Sequence, residues 1–407
     1  MIVPSIDLMG GRAVQLRQGK ERVLTSDRDP VELAAEFNRY GEVAVIDLDA
    51  ALGQGDNLEL VRRICRVADV RAGGGIRDKK RGEELLRAGA GKLIVGTAAA
   101  PEFLKQFPAD RVMVAIDHRR GEVVDRGWTR STGESWEDRA LRLAPFCSGF
   151  LCTFVEVEGG LCGMDLDAVR EVKEKAGRPV TVAGGVAGTG DALAAARLGV
   201  DVQVGMALYT GKLDLAECVA GLLDFGKSPL IPTIARDESG QVLMLAYSSP
   251  DSLRRALREG KGVYFSRSRN ELWEKGLTSG HVQSLVSCRM DCDRDALLFT
   301  VRQTGPACHT GAYGCFGGRE FKLPELFEVL KQRLRDLPEG SYSAKLFRDR
   351  EKLRRKIMEE AFETATAKDR RNAVWEIADL LYHLSVLAVA EGIAWEEIEA
   401  ELGGRQR

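Results

Sequence analysis

The chain has 407 residues, enough for two to three domains at roughly 150 residues each, which excludes a single small binding module. Apolar residues make up 44% and charged residues 29%, so each domain can bury a core, and a disordered or fibrous chain is excluded. The 59 Lys and Arg are matched by 61 Asp and Glu, so no overall basic field points to nucleic acid, and anionic small molecules are left to local sites.

The opening MIVPSIDLMGG lacks the basic and apolar regions of a signal peptide, and no later run of 18 apolar residues is free of charge. The expectation is a cytoplasmic protein without membrane contact. Nine cysteines, an odd number scattered along the chain, do not form a disulfide framework, but Cys288, Cys292, Cys308 and Cys315 cluster and suggest a metal.

From residue 1 to about 224, short apolar runs (Met1 to Ile6, Val43 to Leu48, Val112 to Ile116, Val180 to Ala183) alternate with helical patterns. This rhythm predicts βαβ units around a buried parallel sheet. Gly75 is followed 21 residues later by Gly96, and Gly185 is followed 20 residues later by Gly205, which implies two similar halves. A duplicated chain of this length fits a (β/α)8 TIM barrel, with an open doubly wound sheet as the alternative.

Phe225 to Pro229 reads as a linker. Beyond it, short strands (Val242 to Tyr247, Gly262 to Phe265, Ala296 to Arg302), a helix near 250 to 259 and the cysteines predict a small α+β zinc domain. After Leu323 the strand signals stop, and helical periodicity over Glu325 to Leu334, Asp349 to Lys368, Ala373 to Glu391 and Trp395 to Leu402 predicts an all-α unit. The expected division is 1–226, 227–320 and 321–407.

In a (β/α) barrel the chemistry lies just after each strand. Asp7 ends the first strand and Asp117 the fifth, at equivalent points of the two halves, so they face one another as a candidate acid–base pair. The plainer alternative for either one alone is a turn or helix cap. Two glycine sets are placed to bring backbone amides to an anion: Gly74, Gly75 and Arg77 with Gly96 and Thr97, and Gly184 and Gly185 with Gly205 and Met206. Together they predict a ligand with a phosphate at each end.

The segments VPSIDLMGGRAVQLRQG, AVIDLDAALGQGDN, RAGGGIR, KLIVGTAA, VAIDHRRGEVVDRGW and TVAGGV resemble the ProFAR isomerase family of histidine biosynthesis over residues 1 to 224. The resemblance implies an Amadori rearrangement without metal or cofactor, with Asp7 as general base and Asp117 as general acid. Thr153 matches a family threonine, and Trp128 belongs to a Gly-Trp loop that covers substrate. Glu158-Gly159-Gly160 departs from the family's usual Asp-Gly-Thr.

In RMDCDRDALLFTVR, an extended run from Asp291 to Asp295 places Asp291, Asp293 and Asp295 on one face, where they repel unless a hard cation such as Mg²⁺ sits among them. Cys292, Cys308 and Cys315 offer three soft ligands and leave a fourth zinc position open for water. His309 beside Cys308 is a candidate base or proton shuttle. This segment is similar to the phosphoribosyl-AMP cyclohydrolases over 230 to 318, in GQVLMLAY, YFSRSRNELWEKG, TSGHVQ, MDCDRDALL and ACHTGAYGCF. The resemblance implies Zn²⁺ on the three cysteines, Mg²⁺ on the three aspartates, a site built between two subunits of a homodimer, and phosphate or ribose contacts from Ser266, Arg267, Ser268 and Arg269.

In the tail, Glu359, Glu360 and Glu363 and then Glu376 and Asp379 put acids three apart on helical faces, where like charges repel unless neutralised; Asp379 lies in apolar surroundings, and buried acids without Lys partners suit Mg²⁺ bound to a polyphosphate, with a solvated acidic face as the alternative. Ser341-Tyr342-Ser343, Lys356 and these acids resemble the all-α phosphoribosyl-ATP pyrophosphohydrolases over about 324 to 402. The three resemblances imply consecutive steps on phosphorylated nucleotide and ribotide substrates by one trifunctional chain. The alternative is a bifunctional hydrolase carried on a non-catalytic barrel.

Overall fold

Strands that are apolar on both faces must be covered on both. Eight such strands are β1 (Ile2–Met9), β2 (Val43–Asp47), β3 (Val70–Gly73), β4 (Lys92–Val95), β5 (Val112–Arg119), β6 (Gly149–Phe154), β7 (Val180–Ala183) and β8 (Asp201–Val204). A computed structural model, describing residues 1–125 and 127–403, pairs them all in parallel, and the pairing of β8 with β1 closes the barrel. Ile94, Met113, Leu151 and Ala183 fill its interior, while the outer strand faces pack on helices. The open-sheet alternative is therefore set aside.

The duplication read from the glycines is also visible in the strands. β1 and β5 each run on into an antiparallel hairpin, Arg12–Arg17 with Glu21–Thr25 and Glu122–Asp125 with Arg130–Ser135. Aspartates start the helices that return to the next strand: Asp29, Asp78, Asp165 and Asp214 each accept a hydrogen bond from an amide of the first turn.

At the base of the barrel the buried Arg71 guanidinium donates to Thr181 Oγ1 at 2.9 Å, to Asp201 at 2.9 Å and to Glu42, and Asp201 also holds the N-terminal ammonium at 2.8 Å. Removing Arg71 leaves the partly buried Glu42 and Asp201 without its guanidinium and Thr181 Oγ1 without its donor. Arg71→Ala is expected to destabilise this unit by about 1–3 kcal/mol in a urea titration.

The second core is a four-stranded sheet in the order β10-β9-β14-β13, from β9 (Ile231–Asp237), β10 (Val242–Ser248), β13 (Gln283–Met290) and β14 (Leu297–Gln303). A two-stranded ribbon, β11 (Val263–Ser266) with β12 (Glu271–Glu274), and the helix Pro250–Glu259 complete it. Residues 291–296 are a bent loop with Arg294 at φ +63°, not the extended run read from the period of two.

Met1–Gly318 is one compact unit that includes both the barrel and this sheet. The cause is the helix Leu215–Leu222, which carries apolar residues on two faces. Its Leu215, Cys218 and Leu222 enter the barrel core, while Ala216, Val219 and Ala220 enter the core of the sheet. Arg254 and Arg258 reach Glu217 at 2.8 and 2.7 Å, and Arg39 donates to the Leu257 carbonyl at 3.0 Å.

Arg319–Leu402 is the second compact unit. It consists of the helices Leu323–Asp336, Tyr342–Arg348, Arg350–Ala365, Arg370–Ala390 and Trp395–Gly403 around Phe327, Leu330, Leu346, Leu353 and Val386. The single helix expected over Asp349 to Lys368 ends at Ala365, and a separate helix precedes it, because Asp349 caps a new start. Arg370–Ala390 is long and apolar enough to cross a membrane by length and composition. In this bundle it packs on Arg350–Ala365 and carries Glu376 and Asp379.

Candidate functional site

At the barrel mouth Asp7 and Asp117 stand near the C-terminal ends of β1 and β5. Burial pushes the Asp7 carboxyl up to about 6, against a 2.8 Å hydrogen bond from Ser5 Oγ. Burial also raises Asp117, against hydrogen bonds donated by Trp128 and by Thr153, its register partner on β6. Trp128 sits at φ +65° with its ring over Gly19, where a Cβ would lie 2.9 Å from Cε3.

Glu158 is the mouth residue that the sequence reading passed over, noting it only as a departure from the family pattern. Burial and then the charge of Asp7 push its carboxyl up to about 7, Asp117 adds to this, and the Gln18 amide donates to Oε2 at 3.0 Å. Three carboxylates with raised pKa therefore share the mouth, a condition in which proton exchange near neutral pH is easy.

The glycine sets occupy equivalent loops after β3 and β7. Gly74 and Gly184 both have φ +97°, and a Cβ on them would lie 2.1 Å from the Asp47 carbonyl oxygen and 2.7 Å from that of Phe154. Close backbone packing at the neighbouring strand ends thus demands glycine there. Gly75 and Gly185 are likewise left-handed. Gly205 leaves room for the buried Gln15 amide, whose Oε1 would lie 2.4 Å from a Cβ, and Gln15 Nε2 has no partner among the described residues. A Cβ on Gly96 would meet nothing closer than 3.8 Å, Thr97 is exposed, and the Met206 side chain is buried. Arg77 is turned to the carbonyls of Ala50, at 3.2 Å, and Ala51.

In the second core Cys308 and Cys315 share a hydrogen bond, and Thr310 Oγ1, 3.1 Å from Cys308 Sγ, leads the bonds that hold that thiol below its usual range. His309 Nδ1 is 3.9 Å from the same sulfur. Cys292 is exposed in the 291–296 loop, and among the described residues the three thiols do not all lie within 4.8 Å of one another, as three groups of acids do. Lys275, which the sequence reading missed, is buried and donates to the His281 carbonyl at 3.4 Å. Burial pulls its ammonium down while the charges of Cys315 and Cys308 oppose this.

Asp291, Asp293 and Asp295 bring carboxylate oxygens within 4.8 Å of one another, and repulsion from Asp293 foremost raises Asp295. A cavity of 540 Å³ is lined by Tyr247, Phe265, Ser266, Arg267, Ser268 and Trp273. Arg267 stacks 3.8 Å over the Tyr247 ring, whereas Arg269 is tied to Glu271 at 3.0 Å.

In the helical unit Glu360 gathers with Glu359 and Glu363 on its own helix and with Glu376 and Asp379 on the facing one, each group within 4.8 Å. Two details differ from the expectation. Glu360 is the buried acid and Asp379 is only partly covered, since the residues flanking Asp379 face outward. The acids also have a Lys partner, because helical spacing brings Lys356 Nζ to 2.8 Å from Glu360 and 2.9 Å from Glu359. His383 is fixed by Tyr342 Oη at 3.2 Å and the Asp379 carbonyl at 2.8 Å.

A barrel with raised, paired carboxylates at its mouth, joined to a helical unit with a converging acid cluster, defines a multidomain enzyme. Residues 1–214 match the family described as histidine biosynthesis protein, 244–317 match phosphoribosyl-AMP cyclohydrolase and 323–406 match phosphoribosyl-ATP pyrophosphohydrolase. The chain is 43% identical over 192 residues to the histidine biosynthesis bifunctional protein HisIE of Pyrococcus furiosus, which covers 44% of this chain and 92% of that one. It is 45% identical over 175 residues to the histidine biosynthesis trifunctional protein of Kluyveromyces lactis, covering 42% of this chain and 22% of that one. The trifunctional relative is therefore matched over about a fifth of its length and the bifunctional one over about nine tenths. The chain belongs to the histidine biosynthesis protein family, with a cyclohydrolase and a pyrophosphohydrolase domain following its barrel.

Proposed function

We propose that the chain catalyses three consecutive steps: loss of pyrophosphate from phosphoribosyl-ATP, opening of the adenine ring of phosphoribosyl-AMP to ProFAR, and Amadori isomerisation of ProFAR to the aminoketose. The observation that carries this is the order of three domain families on one chain, with convergent acid groups in the second and third. A non-catalytic barrel has no use for three carboxyls with raised pKa at its mouth.

In the helical domain Glu359, Glu360, Glu363, Glu376 and Asp379 offer the oxygen-only donor set that suits Mg²⁺, which when bound neutralises the leaving pyrophosphate. Lys356 balances the cluster and faces the polyphosphate. In the cyclohydrolase domain Cys308 and Cys315 are one half of a zinc site, and Cys292 of a second copy is the other half. That Cys292 does not form one cluster with Cys308 and Cys315 within the chain goes with a site shared by a homodimer. Zinc, when bound, would supply an activated water; His309, beside Cys308, is placed to accept a proton, and Ser266, Arg267 and Ser268 line the 540 Å³ cavity that would hold the nucleotide. Asp291, Asp293 and Asp295 hold a second hard cation.

In the barrel the two glycine sets hold a phosphate at each end of ProFAR, so that the aminoaldose lies across the mouth. Asp117, steadied by Trp128 and Thr153, delivers the proton that opens the ribose ring, and Asp7 removes the C2′ proton; no metal takes part. Glu158 stands by as a proton reservoir. A cytoplasmic location goes with this reading.

The test is to give the purified chain phosphoribosyl-ATP with Mg²⁺ and trace Zn²⁺ and to separate the products by chromatography against standards. Aminoketose is expected; arrest at ProFAR would refute the isomerase, and release of pyrophosphate from ordinary nucleoside triphosphates in preference to phosphoribosyl-ATP would refute the first step.

A further inference from the structure

The loop that carries Asp291, Asp293 and Asp295 is anchored to the barrel on both sides. Just before it, Arg289 donates to the Asn38 carbonyl and to Asn38 Oδ1, each at 3.3 Å, and pairs with Asp69. Met290 packs against the barrel core and the core of the sheet together. Inside the loop Arg294 takes φ +63°, its Nη2 donates to the Ala196 carbonyl at 3.3 Å, and its own carbonyl accepts the Asp224 amide at 3.4 Å. Ala196 lies in the last turn of the barrel helix Thr189–Arg197, where its carbonyl also accepts the Gly199 amide at 3.1 Å and the helix dipole favours a cation.

Three carboxylates within 4.8 Å of one another repel and tend to spring the loop open. Inside the loop, the Asp295 and Ala296 amides donate to Asp291 Oδ1 at 3.0 and 3.1 Å and the Asp291 amide donates to the Ala296 carbonyl at 3.2 Å, bonds that oppose this. The outer anchors complete the restraint, and a left-handed backbone at a non-glycine residue persists only where its surroundings enforce it.

We propose that Arg294 is a positioning residue, through which the barrel helix Thr189–Arg197 holds the acidic loop in the shape that receives a divalent cation. The cation affinity of the hydrolytic domain is thereby set in part by the isomerase barrel. Holding the carboxylates together beforehand removes an ordering cost from cation binding. This rests on reading the loop as a cation site, as above.

The experiment is a Mn²⁺ titration of the full chain followed by electron paramagnetic resonance, in which the difference between the unaltered chain and Asp293→Asn isolates the loop. Arg294→Asn keeps a residue that tolerates the left-handed backbone but removes the anchor. It is expected to weaken Mn²⁺ at the loop by about tenfold, with partial recovery in Arg294→Lys. Hydrogen exchange at the Asp295 and Ala296 amides should quicken, and the isomerase rate should stay unchanged. Unaltered Mn²⁺ affinity and exchange in Arg294→Asn, with loss of binding in Asp293→Asn, would overturn the mounting role alone. No loss in Asp293→Asn would instead remove the cation reading, and the mounting role with it.

Discussion

Asp7→Asn is expected to lower isomerase turnover by about 10²–10⁴-fold while leaving pyrophosphate release and ring opening intact, and at the same time to make the protein more stable. Both effects have one origin. Burial raises the Asp7 carboxyl from 3.8 to about 6, so the folded chain binds a proton there that the unfolded chain has already released. Between these two values stability falls as pH rises, and above about 6 the full cost of an ionised, buried carboxylate is present. A neutral Asn that still accepts from Ser5 Oγ escapes that cost, which is on the order of 2–3 kcal/mol. Urea titrations at pH 8 and pH 4 check the sign: the gain should be present at pH 8 and fade at pH 4. In the unaltered protein, isomerase activity should decline as pH drops below about 6, because the base is then protonated. A variant that is inactive and no more stable would point to a structural role for Asp7.

The second large effect concerns the cysteines. Cys292→Ser and Cys308→Ser should each abolish ring opening and zinc retention, yet a mixture of the two chains should recover both. One mixed dimer joins the intact Cys292 of one copy to the intact Cys308 and Cys315 of the other, while its second site loses both. Random pairing makes about half of the dimers mixed, with one good site in two, so about a quarter of full activity should return. Differently tagged chains, refolded together and purified through both tags, allow zinc content and ring opening to be measured on the mixed species. No recovery would mean that the three thiols meet within one chain, against their separation in this structure.

Much of this molecule is legible in its residue pattern because the signals are local. Period and turn residues mark the strands and helices, and the equivalent glycines reveal the doubled barrel, since a left-handed backbone packed within 3 Å of a neighbouring strand end admits little else. The acids of the helical unit were likewise legible, because helical spacing alone puts Glu359, Glu360 and Glu363 together. The loop at Asp291 to Asp295 shows where a local rule misleads. Alternation predicts one face of an extended run, but the chain bends there, and its carboxylates converge through amide bonds to Asp291 and anchors more than 90 residues away in sequence.

What the sequence by itself determined was the set of elements, their order and the residue types available for chemistry, since propensity, period and side-chain chemistry belong to short stretches of chain. Tertiary structure alone decided the rest. It merged the barrel and the sheet into one unit, because the helix Leu215–Leu222 has apolar residues on two faces and both must be covered. It gave Glu158 its charge neighbours at the mouth and brought Cys308 and Cys315 into hydrogen-bond contact, because burial, electrostatic coupling and ligand distance depend on which distant segments fold against one another.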